Sequence, residues 1–480
     1  MLCCCVSASL YPFLSELFCN MQSRTLGFGL IFGLLAVCSL ASSQSNIRER
    51  KVCRVVSKYA ASNGTADDSP TIAKAFEACG SGGVVEFGEG VDFNVLTPIS
   101  ATNLSNVEIK MHGNLHLPKD IGFVQRVYNE LAGKDDGDLF WFTFAGANIS
   151  YIGTKNVTTG WIYSYGQAWW NANPVNGTGI DGRPNLMLLN MTNGLVKHLK
   201  SSKPIAWNFR LMGSNITVAD TIIDAFSESD IGHFGVGFPF NTDGFQIAGT
   251  GVTITDSVIY NGDDAFAIQS GAHDVSIQRA TIGYASHGLS IGSLGQNQAN
   301  FANVTNILFD DITCISTLYG ARFKSWLGGQ GLAKNITWQN IRVYNVTFPI
   351  FVTQTYINQG SQQTQIEDGT ISERPNNSSV EMQDFRWINW TGTLNAYFPG
   401  DGSCVTNPCW YNVGLPDLKH TEAIIIECNT NQSCKNFEMK NIQIFPQSPD
   451  PPTVICMNAT AELNPALGFR CRNGTNVPSA

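Results

Sequence analysis

Short runs of β-branched and aromatic residues alternate with polar ones along most of this chain, and helical periodicity over three turns is nearly absent after residue 80. Beyond residue 210 the alternation acquires a rhythm. NITVADTIID from Asn215, GVTITDSVIY from Gly251, DVSIQRATIG from Asp274, NILFDDITCI from Asn306 and NITWQNIRVY from Asn335 each open on a turn residue and then alternate apolar and polar positions. Their starts lie about 23 to 36 residues apart, the range of solenoid coils. Earlier copies are NVEIKMHGNL from Asn106 and NISYIGTKNV from Asn148. One such coil cannot bury its own apolar face, whereas stacked coils bury a continuous core. The pattern predicts an all-β fold, a parallel β-helix.

Both ends read as caps. DDSPTIAKAFEACG, from Asp67 to Gly80, predicts one helix, with Asp68 or Ser69 at its N-cap, Pro70 in the first turn and Gly80 after the last. Such a helix would cover the open end of the core. The C-terminal region, rich in Cys and Pro, fits a stapled cap, and the polar stretch from about Gly360 to Ser379 reads as a long loop.

Composition adds a compartment. Leu26 to Leu40 is an apolar run preceded by Arg24 and followed by Ala41, Ser42 and Ser43, shorter than the ~20 residues of a membrane span. Residues 1–43 are expected to be a signal peptide and 44–480 a single β-helix domain of a secreted, extracellular protein. The stretch before Met21 carries no basic residue, so Met21 is the expected true start. Of 14 cysteines, Cys3, Cys4, Cys5, Cys19 and Cys38 leave with the leader. Cys53 with Cys79, Cys404 with Cys409, Cys428 with Cys434 and Cys456 with Cys471 are plausible pairs, which leaves Cys314 as a buried thiol. No Cys/His spacing points to zinc, and no metal or cofactor is expected. Asn-x-Ser/Thr acceptors occur at Asn63, Asn103, Asn148, Asn156, Asn176, Asn190, Asn215, Asn303, Asn335, Asn345, Asn376, Asn377, Asn389, Asn431, Asn458 and Asn473. About half are attributable to Asn-Thr-rich turns, and the remainder suffice for heavy glycosylation. A formal charge of −9 argues against nucleic acid as a partner. No later segment is apolar enough to enter a membrane, and no coiled coil points to assembly, so a monomer is expected.

Three polar clusters fall on successive coils. NTDG places Asp243 before one apolar run, NGDD places Asp263 and Asp264 about one coil later, and SHGLSIGSLG places His287 a coil beyond that. ARFKSW then sets Arg322 and Lys324 two apart, on the same face of a strand. Equal offsets on successive coils stack, so these residues should line one cleft. Adjacent Asp263 and Asp264 both enter it only from a bend, which Asn261-Gly262 permits. Taken singly, an Asn-Gly-Asp-Asp turn is most often solvated, His287 reads equally as a turn residue, and Arg-x-Lys usually marks a wet face. Their order and spacing outweigh those readings. Glycosidic hydrolysis needs one carboxyl to protonate the leaving oxygen and one carboxylate to activate water. Close carboxylates raise one another's pKa, which keeps one protonated. Arg322 and Lys324 suit a sugar that itself carries a carboxylate.

NTDG, GDD, SHGLSIGSLG and R-x-K in this order resemble the signature of glycoside hydrolase family 28, the polygalacturonases. WIYSYGQAWW and RPNLMLLN, within Trp161 to Asn190, resemble the family's segment before the site. The resemblance implies a right-handed parallel β-helix and an inverting mechanism. It makes Asp263 the general acid, Asp243 and Asp264 the holders of the water, His287 the residue that tunes the acid, and Arg322 with Lys324 the carboxylate binders. Ala265 and Gly283 stand where many relatives have a disulfide, and Phe323 where Ile is commoner. SHGLSIGSLGQ, ARFKSWLGGQG and NVTFPIFVTQTYINQ more resemble fungal exo-acting members, the galacturan 1,4-α-galacturonidases. The expected partner is therefore pectin, and the expected reaction the release of terminal galacturonic acid. Endo action, an exo-acting rhamnogalacturonan galacturonohydrolase, a calcium-dependent pectate lyase and an inactive pectin-binding β-helix are the competing readings.

Overall fold

Alternating sequence becomes stacked coil because each apolar position faces inward above the same position of the coil before it. The computed structural model describes residues 50–132, 138–229, 235–356, 378–407, 409–412, 415, 418–472 and 477–478. The leader, Met21, nearly all of the 360–379 loop, and Asn376, Asn377 and Asn473 lie outside them.

Every strand pairing among the described residues is parallel, except the short antiparallel contact of Thr453–Val454 with Val477–Pro478. Long strands, among them Asn185–Lys197, Thr250–Tyr260, His273–Gly283, Phe301–Ile315, Gln330–Val346 and Val380–Leu394, stack coil upon coil. A second ladder runs Phe209, Phe245, Phe266, Leu289, Ala321, Ile350, Ile424, Val454 in register. All eight are buried. With crossovers of the usual hand, this is a right-handed parallel β-helix: the repeats anticipated the solenoid, and the family resemblance implied its hand. Its core is one continuous cluster in which like residues stack, as in Phe309–Trp338–Trp387, with ring centroids 5.8 and 5.4 Å apart.

The corners explain part of the acceptor density. Asn148, Asn193 and Asn215 have positive φ, and each donates its amide nitrogen to the Asn one coil earlier, beginning at Asn106. Asn335 donates to Asn306, and Asn389 to Asn340, in the same way. Asn tolerates this left-handed conformation, and the ladder satisfies its side chain.

Ser69–Cys79 forms the capping helix and buries Ile72, Ala75, Phe76 and Cys79 on the first coil. Asp68 holds the N-cap position without capping. Its carboxylate instead accepts from Lys58 N (2.7 Å) and Asn94 N (3.0 Å), tying the cap to the first coil. A helix that the periodicity did not predict, Ile121–Leu131, opens on Asp120, whose carboxylate accepts from Phe123 N at 2.8 Å. Val124 is its one fully buried residue, with Ile121 and Val127 packed partly buried beside it, an apolar stripe at helical spacing that spans only three turns. The four anticipated disulfides are present, and among the described residues Cys314 is the free, buried cysteine.

Candidate active site

Register assembles the site. Phe245, Phe266, Leu289 and Ala321 are successive ladder partners, so Asp243, Asp264, His287 and Tyr319, each two residues earlier, fall in one column at the strand starts. Gly244 N donates to Asp264 O (2.9 Å) and His287 N to Asp263 O (2.8 Å), which fixes this edge. Asp263 and Asp264 occupy the turn before the strand Phe266–Ile268, as two adjacent carboxyls sharing a cleft require. Asn261 makes that turn, its Nδ2 reaching Thr242 O, Asp263 O and Asp264 O at 3.0, 2.7 and 3.1 Å. Gly288, with φ of 77°, lets the chain pass the backbone of Tyr319 and Gly320, where a Cβ would collide.

Each acid has a different setting. Asp264 is held at both oxygens: Lys324 Nζ is 2.6 Å from Oδ2, and Ser290 Oγ donates to Oδ1 at 2.5 Å. Asp263 Oδ1 lies 3.1 Å from His287 Nδ1, and Asn241 Nδ2 donates to Oδ2 at 3.4 Å. Asp243 is buried, and its Oδ1 has no hydrogen-bond partner among the described residues. Burial, with Asp263 and Asp264 beside it, pushes the Asp243 carboxyl well above the ordinary range. Burial alone would also raise Asp263, but the His287 charge and hydrogen bond and the Lys324 charge outweigh it and hold Asp263 low. Burial would lower His287, but Asp263 and then Asp401 outweigh it and raise the imidazole to about 9. These directions favour a proton on His287 over one on Asp263, so Asp263 acts as an acid with a proton drawn from His287 Nδ1, 3.1 Å away.

A cavity of about 340 Å³ opens over this cluster, lined among others by Arg183, Asn241, Asp263, His287, Arg322, Tyr356 and Trp410. Arg322 faces it from a box of Tyr319, Trp410 and Tyr356, whose ring centroids lie 4.3, 5.1 and 5.4 Å from the guanidinium carbon. Lys324 does not line the cavity. Its ammonium is committed to Asp264, whereas Arg322 faces the cavity and keeps a longer contact with the same carboxylate, Nη1 lying 3.8 Å from Asp264 Oδ1. The oxygens and nitrogens of Asp263, Asp264 and His287 lie within 4.8 Å of one another, close enough to hold a metal ion. Lys324 and the imidazolium already supply that positive charge, and the set does not fit an added cation.

Several cavity residues escaped the sequence reading. Asp401 Oδ2 lies 2.8 Å from His287 Nε2, yet GDGSC around it looks like any turn before a cysteine. Trp410 and Tyr356 lie in irregular segments with no periodic signal. Arg183 stands in the RPN segment, where nothing local marks it as a cavity residue. Its guanidinium donates to Phe240 O and Asn241 Oδ1, both at 2.9 Å.

The sequence profile of glycosyl hydrolases family 28 matches residues 83–396, which carry the column from Asp243 to Lys324. The chain belongs to glycosyl hydrolases family 28. It is 57% identical over 413 residues to a probable exopolygalacturonase C of Aspergillus terreus, covering 86% of this chain and 91% of the relative. Against the probable exopolygalacturonase C of Neosartorya fischeri the figures are 54% over 450 residues, 94% and 98%. Among solved structures, the endo-xylogalacturonan hydrolase of Aspergillus tubingensis superposes with a TM-score of 0.66 at 21% identity, covering 89% of this chain and 100% of that one. The polygalacturonase of Erwinia carotovora superposes with a TM-score of 0.55 at 18% identity, covering 86% and 99%. These two structures share the β-helix. As a family 28 member the protein is a glycoside hydrolase, and its carboxyl cluster is read below as the machinery of that reaction.

Proposed function

We propose that this hydrolase releases galacturonic acid from the non-reducing ends of α-1,4-linked galacturonic-acid chains, with inversion at the anomeric carbon. The observation that carries this is a cavity lined by both Asp263 and the caged Arg322 guanidinium, which suits a proton donor and a sugar-carboxylate site in one pocket. As the C1–O bond breaks, Asp263 passes to the leaving oxygen the proton that His287 holds at Nδ1, 3.1 Å away. Water attacks C1 and gives its proton to Asp243 in its ionised form, whose unpartnered oxygen suits it to hold water better than Asp264, already engaged by Lys324 and Ser290. The proton then returns from Asp243 through solvent to His287. Exo action is supported by the wall of the cavity. Asn173 Nδ2 donates to Gly177 O and Gly235 O, and Val405 packs on the cluster of Phe238, Phe240 and Ala285, so loops from three parts of the chain join on one side.

Chromatography of polygalacturonate digests is the test. Monogalacturonic acid alone is expected from the first minutes, undiminished by chelator. A ladder of oligomers would mean endo action, and calcium-dependent, ultraviolet-absorbing product a lyase. The raised Asp243 favours a second assignment, in which Asp243 is the acid and Asp263 the base. Asp263 remains preferred because it lines the cavity and has a protonated neighbour to draw on.

The proposal includes secretion, with residues 1–43 removed from a single catalytic domain spanning 44–480, and glycosylation. Asn148, Asn215, Asn335 and Asn389 spend their amide nitrogens in ladders, whereas Asn63, Asn103, Asn176, Asn190 and Asn431 are exposed and outside any ladder among the described residues. Glycopeptide mapping of secreted protein is expected to find high occupancy at the second set and low occupancy at the first. Equal occupancy in both would refute a protective role for the ladders.

A further inference from the structure

His287 is held at both ring nitrogens. Asp263 Oδ1 lies 3.1 Å from Nδ1 and Asp401 Oδ2 lies 2.8 Å from Nε2. The side chain of Asp401 is fully buried, and it is oriented from its other oxygen. Ser403 N and Ser403 Oγ both donate to Oδ1, at 2.9 and 2.6 Å. Trp410 Nε1 donates in turn to Ser403 Oγ at 3.1 Å, and its ring packs 5.4 Å from the imidazole. The Cys404–Cys409 disulfide closes this short segment, and Gly400 N donates to Thr347 Oγ1 at 3.1 Å, which ties it to the coil below. None of this belongs to the column that register builds. A loop reaching back over the coils from the C-terminal side completes the site.

From this geometry we infer that Asp401 is a positioning residue for the hydrolysis: it fixes His287 as a doubly protonated imidazolium, with Nδ1–H aimed at the acid Asp263. An imidazole accepting at Nε2 could not serve, because Asp401 Oδ2 lies where only a donor is favourable. The dyad therefore carries one mobile proton, written either as imidazolium and carboxylate or as imidazole and carboxylic acid. Asp263 relays this proton from Nδ1 to the leaving oxygen, which leaves neutral imidazole and carboxylate, and the proton that the attacking water loses to Asp243 returns through solvent to restore the pair at the end of each turnover. Asp401 gives up nothing in this step. The charged and titratable groups around His287 are Asp243, Asp263 and Asp264 from the column and its turn, Asp401 from the loop, Arg322 and Lys324 from the next strand, and Tyr319 below. Of the acids, only Asp263 and Asp401 contact the ring.

The inference rests on the hydrolase reading above, and its test separates the two. His287 is followed by imidazole ¹⁵N NMR in the free enzyme, and kcat on oligogalacturonates is measured from pH 4 to 10, for the intact protein and for Asp401→Asn. Removing one contacting negative charge is expected to lower the His287 midpoint by at least about one pH unit. It should move the alkaline limb of kcat down by the same amount, leaving the rate on the acid side within about fivefold. Asp401→Glu should restore most of both shifts. A purely structural role for Asp401 would lower kcat equally at all pH and leave both midpoints unmoved, which overturns the inference. If Asp401→Asn does not fold, Ser403→Ala, which loosens the same carboxylate, should move both midpoints the same way by less, and no movement is again decisive. An intact protein inert on oligogalacturonates would defeat the substrate reading, while the NMR midpoints would still judge Asp401.

Discussion

Asp263→Asn is expected to lower kcat on oligogalacturonates by ~10²–10⁴-fold with little change in KM, the usual contribution of a positioned general acid. The amide fills the same turn, so the loss is chemical rather than architectural, and the thermal midpoint checks this. The sign at neutral pH follows from the low folded value of Asp263. A depressed carboxyl stabilises the fold above its ordinary titration range and loses that contribution as pH falls through the folded value. The variant forfeits this stabilisation but relieves repulsion on Asp243, so the net change should be small. A substrate with an activated leaving group, such as 4-nitrophenyl α-galacturonide, needs no proton at the departing oxygen. On it Asp263→Asn should retain most of its rate, and Asp243→Asn should lose nearly all. The reverse outcome would exchange the two roles and favour the raised Asp243 as the acid.

How much of this was legible depends on whether a residue's partners are periodic. Asp243, Asp264 and His287 share an offset from the ladder Phe245, Phe266 and Leu289, and alternation displays that ladder in the sequence. Asp263 follows from the turn chemistry of Asn261 and Gly262, and Arg322 from its spacing of two to Lys324. The division of labour between those two cations did not follow, because a shared strand face does not say which member meets a buried carboxylate and which meets the cavity. Asp401, Trp410 and Tyr356 were invisible for another reason. They come from loops that fold back over the coils, and such contacts have no sequence period to betray them. The 53–79 and 404–409 disulfides were readable because local cysteines with few alternatives pair locally. The helix Ile121–Leu131 has a stripe of Ile121, Val124, Tyr128 and Leu131, but three turns of it are easily passed over in a chain dominated by alternation.

The separation of Arg322 from Lys324 makes the second large prediction. Arg322→Lys keeps the charge but loses the plane that stacks among Tyr319, Tyr356 and Trp410 and the fork that grips a carboxylate. Charge-assisted hydrogen bonds contribute about 1.5–3 kcal/mol each, so kcat/KM on oligogalacturonates should fall by roughly 10- to 150-fold, with unfolding little affected. If the target is the sugar carboxylate, a C6 methyl ester should penalise the intact enzyme strongly and Arg322→Lys hardly at all. Equal penalties in both would remove Arg322 from substrate recognition. Lys324→Met should behave differently. It strands the buried Asp264, 2.6 Å from the lost ammonium, and breaking such a pair costs about 3–5 kcal/mol of stability. The loss should appear as a lowered thermal midpoint, and no change of substrate discrimination should accompany it. One cation therefore reports on the sugar and the other on the acid beneath it, and a methyl-ester series measured against melting temperature tells them apart.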